Sequence, residues 1–155
     1  MDNLRDNFID VTITNGQLLE SLVFGLSKID RDKAVKHGLA KGGKVLCKGG
    51  MRRLKTRMKS GTHGHTGNLL RSFIVRVKQT KPGVLVGFRG GNHSHLVDLG
   101  TTDRTRKKRG VYSKSTGTMP ANYFWSDTRK EDMGKAYSAI ESGLVLFVEK
   151  VKARI

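Results

Sequence analysis

Between Met133 and Val151 six apolar residues, Met133, Tyr137, Ile140, Leu144, Phe147 and Val151, recur at strictly alternating steps of four and three. On an α-helix this spacing lines them along one face, as a seam about 27 Å long at 1.5 Å per residue. Such a seam has to be buried, so the chain must end in a long helix packed on the rest of a folded domain.

A second long helix reads from Asp30 or Asp32, either of which can cap it, to about Met58. It is interrupted by Gly38, Gly42-Gly43 and Gly49-Gly50. Each glycine costs a helix about 1 kcal/mol, which predicts either close packing against a neighbour or a kink. At 100° per residue Lys41, Lys44, Lys48, Arg52, Lys55 and Lys59 fall in one stripe, with Val35, Leu39, Leu46, Gly50 and Leu54 opposite. Solvated faces usually mix signs, because like charges at i,i+4 repel. Residues 41–60 hold eight bases and no acid. The stripe therefore reads as either a solvated face or a surface for a polyanion or an acidic partner.

The remaining elements are shorter. Ile9 to Thr14, IDVTIT, alternates apolar and polar residues and predicts a strand ended by Asn15-Gly16. Leu18, Leu19, Leu22, Val23 and Leu26 fit one face of a first helix. SGTHGHTG, residues 60–67, reads as a loop. Phe73 to Lys78 and Val84 to Phe88 read as strands joined through QTKPG, whose Pro82-Gly83 signals a turn. His95 to Leu99 is a short turn, followed by a basic arm and a Gly/Ser/Thr-rich loop to about Thr118. Phe124 and Trp125 would start the last helix and anchor it on the sheet, or serve an intersubunit contact. The expectation is one α+β domain over residues 1–155: a small antiparallel sheet packed by two long helices, with an extended basic loop at about 101–118. The open edges of a three-stranded sheet are natural places for subunits to pair.

Charge narrows the function classes. The chain has 155 residues, enough to bury roughly 70% of its unfolded surface. It carries 30 Lys and Arg against 13 Asp and Glu, a net charge of +17. Solubility needs a magnitude of only about 2 to 8, so the excess implies an anionic partner. It is also uneven: residues 1–20 hold four acids and one base, and five of the six residues from Arg104 to Arg109 are basic. The single cysteine, Cys47, excludes an internal disulfide and a cysteine-based zinc site, and reads as a packed thiol. The acidic N-terminus lacks signal-peptide character, and no apolar run approaches the roughly 20 residues of a membrane span. A soluble intracellular product is expected.

Catalytic signatures are weak. His63 with His65 and His93 with His95 form two His-x-His pairs which, with Asp98, offer metal-ligand chemistry. Their spacing matches no metal signature, and exposed or interface histidines are the expected reading. GTHGHTG lacks the Gly-Lys-Ser/Thr ending of a phosphate loop. Neither an acid–base pair nor a nucleophile motif is apparent, so neither an enzyme nor a cofactor is expected.

Three segments taken in order carry a family resemblance: TGNLLRSFIVRV (Thr66 to Val77), HSHLVDLGTT (His93 to Thr102) and MPANYFWSDTRKE (Met119 to Glu131). They are similar to the Thr-Gly-x-Leu-x-x-Ser element, the apolar turn ending in acid-apolar-Gly-Thr, and the Pro-Phe element before the terminal helix of the head–tail joining or tail-completion (neck) proteins of long-tailed bacteriophages. The matching positions are Thr66, Gly67, Leu70, Ser72, Asp98, Gly100, Thr101, Pro120 and Phe124. Asp98 stands where Glu is usual, Ser126-Asp127 replaces a second proline, and Arg104 to Arg109 is an insertion of this chain's own.

The resemblance implies a structural virion protein without catalysis. Copies would form a ring at the head–tail junction after assembly in the host cytoplasm, completing the tail and joining it to the connector. The turn around Leu96 to Gly100 would then hold out an arm, Arg104, Arg106, Lys107, Lys108 and Arg109, toward a neighbouring subunit, the connector or tail ring, or DNA in the channel, without reading sequence. Two alternatives remain besides a histidine-dependent metal nuclease: a tail terminator, and a basic nucleic-acid-binding module of ribosomal or nucleoid type. The second alternative lacks a recognisable binding motif and base-stacking aromatics.

Overall fold

The structure, a computed structural model, describes residues 9–12, 24–58, 67–80, 82–103, 105–108, 111–115 and 117–154. The expected helix over Leu18 to Leu26 lies mostly outside them. Its last residue, Leu26, is buried in a bend after Gly25 and is not helical. The elements run β1 (Ile9–Thr12), α1 (Lys28–Arg57), α2 (Asn68–Arg71), β2 (Phe73–Val77), β3 (Gly83–Phe88), α3 (Ser94–Leu99), β4 (Thr105–Lys108), β5 (Val111–Ser115), α4 (Phe124–Glu131) and α5 (Met133–Lys152). This is an α+β fold.

The main sheet has the order β1-β3-β2, all antiparallel, with Val86 opposite both Ile9 and Val75. β3 is the central strand and is buried on both faces, as its run GVLVGF suggests. The helix α1 starts earlier than either aspartate would place it. Ser27 is its N-cap: the Oγ accepts from Asp30 N at 3.2 Å and donates to the Asp30 carboxylate.

The glycines of α1 mark close packing rather than a kink. A Cβ on Gly42 would sit 2.5 Å from Ile140 Cγ1 and 2.8 Å from Ala136 O, both on α5. A Cβ on Gly43 would sit 2.7 Å from Val75 Cγ1 and 2.9 Å from Val84 Cγ2, on the sheet. Adjacent glycines therefore admit two different neighbours to one helix. The core lies along these two contacts and includes Leu39, Leu46, Leu54, Val84, Val86, Phe124, Ile140 and Leu144.

Three expectations need correction. The C-terminal helix is broken: Asp132 ends α4 and precedes α5, so Phe124 and Trp125 open a separate two-turn helix. Within α5 the buried face is Ala136, Ile140, Gly143, Leu144 and Val148, whereas Tyr137 is 52% exposed. The α1 glycines receive Ala136, Ile140 and Leu144, and Tyr137 lies off that contact. Finally, the expected turn at His95 to Leu99 is the short helix α3, and the expected extended loop contains a hairpin. In it β4 pairs antiparallel with β5, Lys107 opposite Tyr112 and Lys108 opposite Val111, with a register shift between Thr105 and Lys107. The β-forming Val111-Tyr112 supplies a partner that lets a Lys/Arg-rich run adopt strand geometry.

Candidate functional site

The first place where the chain's unusual residues meet is the root of the basic hairpin. The short helix α3 ends at Leu99, leaving carbonyls without intrahelical partners. Asn122 N donates to Val97 O and Asp98 O at 3.1 Å each, and Tyr123 N donates to Asp98 O at 2.8 Å. In return the Asp98 side chain serves α4. Its Oδ1 accepts from Trp125 N at 2.7 Å and Ser126 N at 3.2 Å, and its Oδ2 accepts from Ser126 N at 3.2 Å and Ser126 Oγ at 2.6 Å. Asp98 is 6% exposed, and its carboxylate satisfies the free N–H groups of a helix start, where negative charge is favoured. Each element caps the other. The left-handed backbone of Tyr123, φ 53°, is the strained link in this clamp.

The chain leaves the clamp through Gly100 and Thr101. Gly100 has φ 77°, and a Cβ there would lie 2.7 Å from both Ala121 N and Met119 O, so no other residue fits without movement. Thr101 N donates to Met119 O at 2.8 Å, and Met119 N donates to Thr101 Oγ1 at 3.1 Å. This bridge closes the base of the β4–β5 hairpin. Arg106, Lys107 and Lys108 lie on β4, whereas Arg104 and Arg109 lie outside the described residues.

Of the other motif positions, the described ones of the first segment sit on and beside α2. Gly67 precedes α2 with φ 68°, Leu70 is half-buried, and Ser72 Oγ donates to Leu69 O at 2.7 Å. Phe124 is fully buried, Pro120 is exposed, and Thr66 lies outside the described residues. Phe73, Phe88, Phe124 and Trp125 form one edge-to-face ring cluster with centroids 4.5 to 6.2 Å apart. The three resembling segments thus converge on this cluster and the Asp98 clamp.

Beside the clamp lies a cleft of about 190 Å³, lined by Ser94, His95, Asp98, Ser126 and Arg129 among others. The four hydrogen bonds to the Asp98 carboxylate all come from α4, so this acid is committed to holding that helix. His93 and His95 are exposed, and His63 and His65 lie outside the described residues. Among the described residues no group of three or more His, Cys, Asp or Glu is placed to hold a metal ion. Burial pushes the Cys47 thiol up, which keeps it protonated at neutral pH.

The second place is α1, whose bases from Lys44 to Arg57 the fold sorts into two sets. Arg53 and Arg57 turn toward α4 and the start of α5. The Arg53 guanidinium pairs with Asp132, with Glu131 at 2.7 Å, and donates to Thr128 Oγ1 at 3.2 Å; Arg57 pairs with Asp127 at 2.7 Å. The Arg53 hydrogen bond, opposed by burial and helped by Lys135, holds the Asp132 carboxyl below the usual range. These paired arginines were not apparent in the sequence as site residues. The available signal was Arg53 beside Leu54 on the apolar side, with three acids at 127, 131 and 132 awaiting partners.

Lys44, Lys48, Arg52 and Lys55 turn outward and are exposed, with no acidic partner among the described residues. Lys41 is only half-exposed, its stem passing close to Gly143 of α5, and Lys59 lies outside the described residues. Among the described residues no helix is long and apolar enough to cross a membrane.

The clamp gives a direct test. Asp98→Ala should cost about 2 to 3 kcal/mol, the usual loss when hydrogen bonds to a buried charge are removed. Leu99→Ser, at the 63% exposed position next to it, should change stability by no more than about 0.5 kcal/mol. Urea unfolding of the two variants against wild type reads both values; equal losses would mean that the clamp contributes nothing beyond the local sequence.

Comparison of the chain with protein-family models, with curated proteins and with solved structures finds no match.

Proposed function

We propose that the chain is a structural protein of the bacteriophage neck. Copies assemble as a ring at the head–tail junction, complete the tail and join it to the head connector. The observation that carries this reading is the convergence of the three resembling segments. Residues 67–77 meet residues 119–131 through Phe73 in the ring cluster, and residues 93–102 meet them through the reciprocal cap at Asp98. In this reading the second and third segments fix the base of an arm, and the first supports them through the Phe73 ring.

In this reading the arm is the assembly element. Arg104, Arg106, Lys107, Lys108 and Arg109 lie between the two halves of the clamp in sequence, where they can engage an acidic surface of the next subunit, the connector or the tail. Charge complementarity there would set docking rate and orientation more than affinity. The four acids among residues 1–20 and the basic middle are two segments of unlike charge in one copy, which could supply the two unlike patches that head-to-tail ring contacts require. Catalysis, a cofactor and a membrane play no part in the proposal.

The test is made on particles of the phage that encodes the chain. Immunogold label against the protein is expected at the head–tail junction. A phage complemented with the protein carrying Gln at all five arm positions is expected to accumulate filled heads and finished tails that do not join. Label confined to host ribosomes or nucleoid would overturn the proposal, and wild-type particle yields from the five-Gln variant would remove the arm's role in it.

A further inference from the structure

The sorting of bases on α1 leaves a specific remainder. Every acid that α1 meets at α4 and the start of α5 (Asp127, Glu131 and Asp132) is taken by Arg53 or Arg57. What stays outside between Lys44 and Arg57 is Lys44, Lys48, Arg52 and Lys55, on one side of a continuous 30-residue helix. Successive rises of about 6, 6 and 4.5 Å place the four charges over about 16 Å within a narrow arc. Nothing among the described residues neutralises them.

We infer that this outer face of α1 is a binding surface for the phosphate backbone of duplex DNA, indifferent to base sequence. A duplex carries one negative charge per about 1.7 Å of its axis, so a row about 16 Å long faces enough phosphates to engage all four cations. The residue types also favour nucleic acid over an acidic protein. Protein–protein interfaces are depleted in Lys and centred on aromatic anchors, whereas this row is three lysines and one arginine with no aromatic residue between Lys44 and Lys55. The row also lacks Asn and Gln, which read adenine edges. It is suited to hold a backbone and let the sequence pass. The inference rests on the charge sorting and does not require the neck assignment.

The experiment uses the full chain and two fluorescein-labelled DNA duplexes of unrelated sequence, with binding followed by anisotropy across a salt series. The two duplexes are expected to bind alike, with log K falling linearly against log salt. The combined variant Lys44→Gln, Lys48→Gln, Arg52→Gln and Lys55→Gln should flatten that slope by roughly 3 to 4, at about 0.9 for each phosphate no longer neutralised. A control variant removes the same charge elsewhere, at the exposed Lys130, Lys150, Lys152 and Arg154, and should leave the slope near wild type. The hairpin's bases are intact in both variants, so they affect the two slopes equally.

Equal flattening in both variants would show diffuse attraction by the net charge and overturn the inference. So would a wild-type chain without salt-dependent duplex binding, or one that binds polyglutamate through the same four residues more tightly than DNA. Particle labelling is read independently. Lost DNA binding with label still at the junction removes this surface alone, and retained DNA binding with no label there removes the neck assignment alone.

Discussion

Arg53→Met should lower the free energy of unfolding by about 3 to 5 kcal/mol, because it leaves the buried Asp132 carboxylate without its main partner. The Asp132 side chain is 3% exposed, so water cannot take the guanidinium's place. The double replacement Arg53→Met with Asp132→Leu should recover most of that loss, since a well-packed apolar pair often equals or exceeds a buried ion pair in stability. Urea denaturation of the two single variants and the double variant gives the coupling directly. If Arg53→Met costs less than about 1 kcal/mol, the network is not what joins α1 to α4 and α5.

The same pair sets a pH dependence. The folded-state pKa of Asp132 is depressed below its ordinary value of about 3.8. Its contribution is therefore complete above that value and is lost as pH falls through the lower folded-state value. The wild-type urea midpoint should drop in that acid range, and the drop should be smaller in the double variant.

Gly42→Val should cost about 3 kcal/mol, the upper end of ordinary overpacking. The added Cβ meets not only the flexible Ile140 side chain but also Ala136 O, which moves only if α5 moves. Gly134→Ala should do the opposite. Gly134 lies in α5 with nothing within 4 Å of its would-be Cβ, so the helix-propensity gain of about 1 kcal/mol should appear undiminished. Thermal unfolding measured side by side should show melting temperatures moving in opposite directions. A Gly42→Val chain as stable as wild type would mean that α1 and α5 do not approach as described.

These two sites show why the sequence was readable in some places and not in others. The strands at residues 73–78 and 84–88 and the long helix α1 followed from short-range periodicity and recur with boundaries moved by a residue or a few. The C-terminal helix keeps its run from Met133 onward but loses its expected start at Phe124. The purpose of the α1 glycines required knowledge of what lies opposite them. The sequence offered packing or a kink, and only the approach of Ile140, Val75 and Val84 decides between them. The break at Asp132 had no local marker, because an aspartate in a helical run does not force an end. Its partner Arg53 lies 79 positions earlier, and no pattern within one helix records that. The hairpin was hidden for a different reason: five bases in six residues look like solvated loop until Val111 and Tyr112 are paired against them. At the candidate site, Gly100 and Thr101 were marked by resemblance alone, Asp98 also as a possible metal ligand and Phe124 also as a helix anchor. The capping between Asp98 and the start of α4 became visible only in three dimensions.

The bridge between Thr101 and Met119 makes the intervening stretch a bud on the fold rather than a part of its trunk. Chain that departs and returns through one pair of residues can change length at small entropic cost, about 0.6 kcal/mol for each doubling of a flexible loop. It can also change charge without disturbing anything packed beneath it. Related chains could therefore graft different fingers onto one palm, altering what they grasp while the grip at the root stays the same.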